Sequence, residues 1–331
     1  MKSYNSFIYS ILILLLSNNI QSTSYNSLGQ TGLINIPTAE IHHEQSIYAT
    51  FTRDQYSKLA TITVTPFDWM EASYFYYRPD DLLWSSYKGL YLDKGFNVKF
   101  SYKPNTVYLP RFAIGLDDLA GTGMFTKEYL TTTYDFNRIK ITSGIGWGKF
   151  SEDNNIKNPL SIFHDRFKFR DNQSGNYGVG GSLSYDLWFT GRAGLFGGIE
   201  FKVPAIKGIS LKIESDPFDY FSFGCCGDGI SNQSLEVRQK ESDVNFGISY
   251  KYKDYGNIDF AFIKGNTWNI NFSIGFSAKK NITKKRKFSP NITDTNYGQQ
   301  KDTEFYYDLL ENLNNNKLFL QTANIDKNKV D

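Results

Sequence analysis

The densest set of side chains with chemical potential is Gly115-Leu116-Asp117-Asp118-Leu119-Ala120-Gly121-Thr122-Gly123. Two carboxylates in a glycine-rich turn could accept hydrogen bonds from sugar hydroxyls or hold a divalent cation. The same glycines could instead simply permit the positive φ of a tight loop. Asp80 and Asp81 are also adjacent, but adjacency does not supply the facing separation, about 5 Å or about 6.5–9.5 Å, of a glycosidase pair. His42 and His43 are neighbours, and in a strand neighbours face opposite ways, so a shared metal is not expected. His164 lies far from both. Cys225 and Cys226, within Gly224-Cys-Cys-Gly-Asp-Gly, could form a vicinal disulfide, stay free or bridge to another chain; their adjacency rules out a spaced zinc site. Gly144-Ile-Gly-Trp-Gly lacks the third-glycine spacing and following helix of a dinucleotide site, and no GxSxG, Walker loop or HExxH occurs. The expectation is a non-enzymatic protein without metal or cofactor.

Composition narrows the elements that carry these residues. Of 331 residues, 17% are aromatic, with 23 Tyr, 27 Phe and 5 Trp, while 21% are charged and the formal net charge is +2. Mean hydropathy is −0.43, which excludes a helical membrane protein, and the small net charge gives no field to attract nucleic acid. Aromatic excess without long apolar runs suits a transmembrane barrel, apolar outside and polar within. At the N-terminus, Lys2, the apolar run Phe7–Leu16 and a small polar stretch at Ser22–Ser24 have the layout of a secretory signal peptide, expected over 1–24. The run is shorter than the ~20 residues of a spanning helix, and no cysteine follows it, so no N-terminal lipid anchor is expected.

From residue 46 the pattern alternates with period two. Trp268, Ile270, Phe272, Ile274 and Phe276 face one way, and Asn269, Asn271, Ser273, Gly275 and Ser277 the other. Strands are predicted at 46–54, 58–65, 68–78, 94–103, 109–117, 124–134, 138–148, 192–203, 207–215, 243–252, 256–264 and 268–278. About twelve strands of this length make an all-β, transmembrane, antiparallel up-and-down barrel. Connections at 66–67, 104–108, 135–137, 204–206 and 253–255 are short. The alternate set holds the long ones, 79–93, 118–123, 149–191 and 216–242, with short members only at 55–57 and 265–267, the asymmetry of short periplasmic turns against long external loops. Inward parity falls to Glu71, Lys99, Arg111, Asp117, Lys140, Glu200, Lys202, Lys212, Glu214, Lys251 and Asp259. Residues 25–45 read as a periplasmic or lumen-plugging segment and 279–301 as a basic, polar linker. The stretch 302–331 reads as a partial periplasmic α/β module, with a helix capped by Asp302 and a strand at Leu318–Leu320. The basic run Lys279–Lys287 is either a solvated tether or a contact for anionic lipid. Pro66-Phe67-Asp68-Trp69 reads as a turn beside the membrane interface.

Several stretches, in order, resemble one family. Gly29-Gln-Thr-Gly-Leu-Ile-Asn-Ile-Pro37-Thr-Ala39 is followed by Pro66–Trp69, Asp93-Lys-Gly-Phe-Asn-Val-Lys-Phe100 and Tyr108-Leu-Pro110. Then come Gly115–Gly123, Glu128-Tyr-Leu130, Gly144–Gly148 and Phe196-Gly-Gly-Ile-Glu200. Together these resemble the YjbH family of outer-membrane exopolysaccharide biosynthesis proteins. The resemblance implies a barrel in the outer membrane of a Gram-negative cell, acting in capsule or exopolysaccharide production or export. It also implies longer relatives with a second β-rich half, and an end to this chain where their periplasmic module begins.

The expected function is passage of an exopolysaccharide through a polar lumen that binds it weakly at many points. Glu71, Arg111, Lys140, Glu200 and Lys212 would line the lumen, with Asp117 and Asp118 at its mouth. Expected partners are outer-membrane lipid, polysaccharide and periplasmic export proteins, not nucleic acid. Two alternatives stay open: a general porin or small-solute channel, and a plugged structural or assembly barrel that recruits periplasmic partners.

Overall fold

Twelve alternating segments pair antiparallel, each with its neighbour in sequence, and the last pairs with the first. In the computed structural model they are β1 (Ser46–Asp54), β2 (Ser57–Phe67), β3 (Met70–Pro79), β4 (Asp93–Tyr102), β5 (Arg111–Asp117), β6 (Lys127–Phe136), β7 (Ile139–Gly146), β8 (Ala193–Lys202), β9 (Ile209–Ser215), β10 (Val244–Tyr252), β11 (Gly256–Ile263) and β12 (Thr267–Ser277). Pairs such as Phe51 with Phe272 join β12 to β1, and β7 pairs with β8, so the sheet closes. A two-residue strand, Asn155–Ile156, adds to the edge of β8. The structure describes residues 23–331 except 81, 85–88, 91, 107, 122, 124, 152–154, 171–180, 182, 184, 219–229, 233–239, 254, 279–301, 317, 319–324, 327–328 and 331. The signal-peptide stretch to residue 22, Cys225–Cys226 and the basic run therefore fall outside the described residues.

The alternation explains the wall. Phe51, Ile62, Phe96, Ile114, Ile141, Ile213, Phe246, Ile258 and Phe272 are among the large apolar side chains exposed on the outside. Their pleat neighbours Thr50, Thr61, Asn97, Lys140, Lys212, Asn245 and Ser273 are buried within. A lipid-exposed Lys or Arg near the midplane would cost roughly 2–4 kcal/mol, so this sorting is what a bilayer-spanning wall requires.

The connections sort to two ends as expected. At the short-turn end, β6 and β7 are joined by Asn137–Arg138 between the paired Phe136 and Ile139. Asn137 takes φ +68°, a conformation Asn tolerates in tight hairpins. At the other end, stretches of Leu82–Trp84, Gly89–Leu90 and Ile230–Asn232 form a small sheet of their own. Strand limits agree with expectation to within three residues, and those of β1 coincide. β6 begins at Lys127 rather than 124, because the Phe125 N–H donates to Asp118 Oδ2 (3.1 Å) in the preceding loop.

Residues 24–45 fold inside the barrel. Bridges Tyr25–Thr31 and Gly32–Pro37, with Ser27 N–H donating to Ile34 O (2.7 Å), turn the segment back on itself. Its tip, 26–36, points to the long-loop end. From Pro37 the chain descends to the short-turn end, where Ala278 N–H donates to Gln45 O (2.8 Å) beside the start of β1.

Residues 284–331 cluster as a separate unit. It contains the helix α1 (Asp302–Asn315) and a hairpin of Ile325–Asp326 with Lys329–Val330. The helix lies where its spacing predicts. Leu318 is not in a strand, and Phe319 and Leu320 lie outside the described residues.

Candidate functional site

Most of the inward carboxylates and amines are buried, and several of them clasp the inserted segment. Glu71, on β3, lies opposite Lys99, on β4, with Oε1 3.1 Å from Lys99 Nζ. The Glu71 carboxylate also accepts from Thr31 N–H (3.0 Å) and Thr31 Oγ1 (2.8 Å), and Lys99 Nζ donates to Thr31 O (2.9 Å). Lys140 Nζ pairs with Glu40 Oε2 of the segment at 2.5 Å and lies 4.0 Å from Glu200, whose other oxygen accepts from Ser210 Oγ at 2.8 Å. Lys212 Nζ bridges Asp259 (2.6 Å) and Leu33 O (3.0 Å). Glu214 receives the Ile34 and Asn35 N–H groups, both at 2.8 Å, and Asn245 Nδ2 at 2.9 Å. These partners satisfy buried charges that would otherwise cost several kcal/mol each.

Asp117 pairs with Lys127 Nζ at 2.6 Å and accepts from Gln30 Nε2 of the segment. Arg111 has inward parity at the short-turn end of β5, opposite Thr133, and is half-buried. Glu71, Arg111, Asp117, Lys140, Glu200 and Lys212 are thus on the inner wall. Around the inserted segment, five of the six are engaged with it or with each other rather than with open lumen.

Asp118 does a different job. It sits at φ +56°, its Oδ2 accepts from Gly123 N–H (2.9 Å) and Phe125 N–H (3.1 Å), and its own N–H donates to Asn97 Oδ1 (2.9 Å). Burial, then the nearby Asp93 charge, push its carboxyl up to about 7 against the lowering effect of those backbone bonds. Gly123 does take positive φ, +91°. Gly121 is needed for another reason: a Cβ there would fall on Asp118 Oδ1. The arrangement is that of a loop brace. Asp80 instead caps an exposed ion-pair pair: slight burial would raise it, but the Arg53 (2.5 Å) and Arg78 (3.1 Å) guanidiniums hold it below the usual carboxylate range.

The alternation does not reveal an aromatic lining in the long-loop half of the lumen. Phe75, Tyr77, Tyr129 and Phe196 project inward from strands, and Phe125, Phe150 and Phe218 from loops, forming one cluster with Leu28, Leu33 and Ile36 of the tip. Each of three rings lies over a glycine directly opposite in register: Phe75 over Gly95, Tyr129 over Gly115 and Phe196 over Gly144. A Cβ at any of these glycines would enter the ring. Lys127 Nζ stands 5.1 Å from the Phe150 centroid and 5.5 Å from that of Phe218, within cation–π range. Between tip and wall a cavity of about 70 Å³ remains, bounded by Ser27, Leu28 and Asn35 on one side and by Tyr77, Phe125, Phe150 and Phe218 on the other. The sequence signal was the set of inward glycines, which needs the register to be read.

His42 and His43 have ring centroids 5.4 Å apart, edge to face, and His42 packs on Tyr25 and Tyr48. Among the described residues no group of three or more His, Cys, Asp or Glu is placed to hold a metal ion.

Among known proteins, the "Uncharacterized lipoprotein YjbH" of Escherichia coli (strain K12) is 26% identical over 295 residues, 87% of this chain and 40% of that protein. The chain therefore spans less than half the length of this relative. Among solved structures, the KdgM porin superposes with a TM-score of 0.35 at 10% identity, covering 70% of this chain and 98% of that one. An outer-membrane channel from Pseudomonas putida F1 gives 0.35 at 9% identity, covering 73% and 100%. Outer membrane phospholipase A from Escherichia coli gives 0.27 at 7%, covering 71% and 98%. The barrel itself is established by the strand pairing. Residues 24–331 match the family described as "Exopolysaccharide biosynthesis protein YbjH", and the chain belongs to that family, YjbH.

Proposed function

We propose that this protein is a non-enzymatic barrel of the Gram-negative outer membrane that passes an exopolysaccharide to the cell surface, or helps it pass. The observation that carries the reading is the inner wall of a membrane-spanning barrel in a chain of this family. Hydroxyls, amides and both signs of charge line the lumen, with aromatic rings at one end. Such a wall can exchange its internal partners for many weak contacts to sugar hydroxyls and ring faces, which conduction requires. In this reading the short turns lie in the periplasm, where export proteins would meet the barrel, and the long loops face outward. Lipid contacts the apolar belt. Glu71, Arg111, Lys140, Glu200 and Lys212 contact glycan when the inserted segment has moved, with Asp117 at the mouth; Asp118 acts there by holding its loop.

The test is where exopolysaccharide accumulates in a strain lacking the protein. Retention in the periplasm supports export. An unchanged amount and distribution between periplasm and medium refutes it. A second reading, a plugged barrel that serves as an assembly scaffold, is favoured by the hydrogen bonds of residues 24–45 to the wall. Under it, the same strain would lose periplasmic partners from the outer-membrane fraction. The filled lumen disfavours a permanently open diffusion porin.

A further inference from the structure

The aromatic lining sits where the tip of the inserted segment ends, and the two are unequal partners. The wall offers seven rings. The tip covers them with only three aliphatic side chains, Leu28, Leu33 and Ile36, and leaves the cavity of about 70 Å³ beside Ser27 and Leu28. The other edge of that cavity is polar, carrying Asp54, Ser57, Lys127, Asp216 and Asn269. Flat apolar faces beside a rim of amide, hydroxyl and charged groups fit a pyranose, which presents C–H faces and a hydroxyl edge. A ring of that size needs the room that Ser27 and Leu28 occupy. The tip is also held mainly by its polar backbone, through Glu214 and Lys212, groups whose bonds sugar hydroxyls can replace.

We propose that this wall is a pyranose-stacking site that the tip of residues 26–36 occupies in the closed barrel, so that glycan and tip compete for it. The proposal rests on the reading of a glycan-handling barrel, and deepens it by naming the site and its occupant. A glycan entering the site displaces the tip, and the stacking face becomes part of the path.

The test uses the purified full-length protein with Cys225→Ser and Cys226→Ser, carrying Ser27→Cys and Thr52→Cys. These two positions are neighbours, because Thr52 Oγ1 donates to Ser27 O (2.8 Å). The rate of joining the two thiols by a short bifunctional reagent reads how often the tip is home. Isomaltohexaose in excess is expected to slow the joining several-fold, with glucose weaker. Phe125→Ala and Phe150→Ala should each raise the isomaltohexaose concentration needed by about tenfold, the loss of one stacked face. A joining rate indifferent to the oligosaccharide overturns the competition. An effect that persists unchanged in Phe125→Ala/Phe150→Ala overturns the stacking site. In planar bilayers, the folded variant Leu28→Ser/Leu33→Ser/Ile36→Ser should conduct, with current interrupted by isomaltohexaose; a conducting variant without interruptions refutes the site as well. Because these readouts use purified protein, they stand apart from the location of exopolysaccharide in cells, which tests the export reading alone.

Discussion

Removing the Glu214 carboxylate isolates what holds the tip in place. Its two oxygens take the Ile34 and Asn35 N–H groups at 2.8 Å each, and Asn245 Nδ2 at 2.9 Å, in a site where Glu214 is 1% exposed. Donors left buried without an acceptor cost about 1–3 kcal/mol each. For Glu214→Ala the two backbone N–H groups therefore amount to about 2–6 kcal/mol. Water entering the vacated space returns part of this, so about 3 kcal/mol is expected, a shift of roughly 150-fold in the opening equilibrium of the tip. The effect is local, because the strand pairing of β9 with β8 and β10 does not use the side chain. Amide hydrogen exchange checks it: residues 34–36 should lose protection by about two powers of ten while β9 and β10 keep theirs. Glu214→Gln, which keeps one acceptor oxygen, should fall between. Unchanged protection at 34–36 in Glu214→Ala would mean that the apolar contacts of the tip hold it and the Glu214 hydrogen bonds do not.

Three further outcomes follow from the same contacts. Lys140→Met leaves Glu40 and Glu200 buried without their shared cation and should destabilise the segment at 37–41 by about 3–5 kcal/mol; Glu40→Gln in the same chain should recover much of this in exchange or unfolding midpoint, and no recovery would count against the pair. Gly115→Ala places a methyl inside the Tyr129 ring and should cost about 1–3 kcal/mol of overpacking, seen as a lower urea midpoint in detergent and relieved by Tyr129→Ala. For Asp118, the folded carboxyl at about 7 lies above its ordinary 3.8, so the folded loop binds the extra proton. Its stabilisation is fully present below about pH 4 and is lost as pH rises through about 7. Proteolysis at 118–125 should therefore be faster at pH 8 than at pH 5, and Asp118→Asn should flatten the difference; slower cleavage at pH 8 would refute the sign.

Where one face is apolar and the other polar, the sequence is sufficient. Trp268 to Phe276 alternate with small polar residues, and only one register can put the first set in lipid. The same logic placed Glu71, Lys140, Glu200 and Lys212 inside. It failed for Phe75 and Tyr77, because Tyr74-Phe75-Tyr76-Tyr77 is aromatic on both faces and carries no period. Tyr129 and Phe196 have the parity of inward residues, yet an inward ring is intelligible only when a glycine stands opposite, and opposition depends on cross-strand register. The inserted segment was legible as a stretch without strand period, not as the partner of particular wall residues. Its contacts with Glu71 and Glu214 join positions 40 and about 180 residues apart.

A polar inner wall is usually taken as the mark of water. Here the wall would be polar for either of two reasons, and the geometry separates them. Twelve strands enclose more space than side chains alone fill, in contrast to an eight-strand barrel, and in this protein 22 residues of its own chain fill the difference. Those residues bring backbone N–H and C=O groups that cannot pair within a strand, and each needs a partner inside. Glu71, Lys99, Lys212 and Glu214 supply such partners. The charges are therefore selected at least in part by the inserted backbone. Their exchange for sugar hydroxyls is possible because both are hydrogen-bonding groups of the same kind. The aromatic cluster has no such use for the backbone, since rings neither donate to nor accept from it with strength. Three aliphatic side chains could be covered by aliphatic ones as well. That rings are used, three of them seated on glycines opposite in register, is the feature that the inserted segment alone does not explain and that a stacked sugar face does.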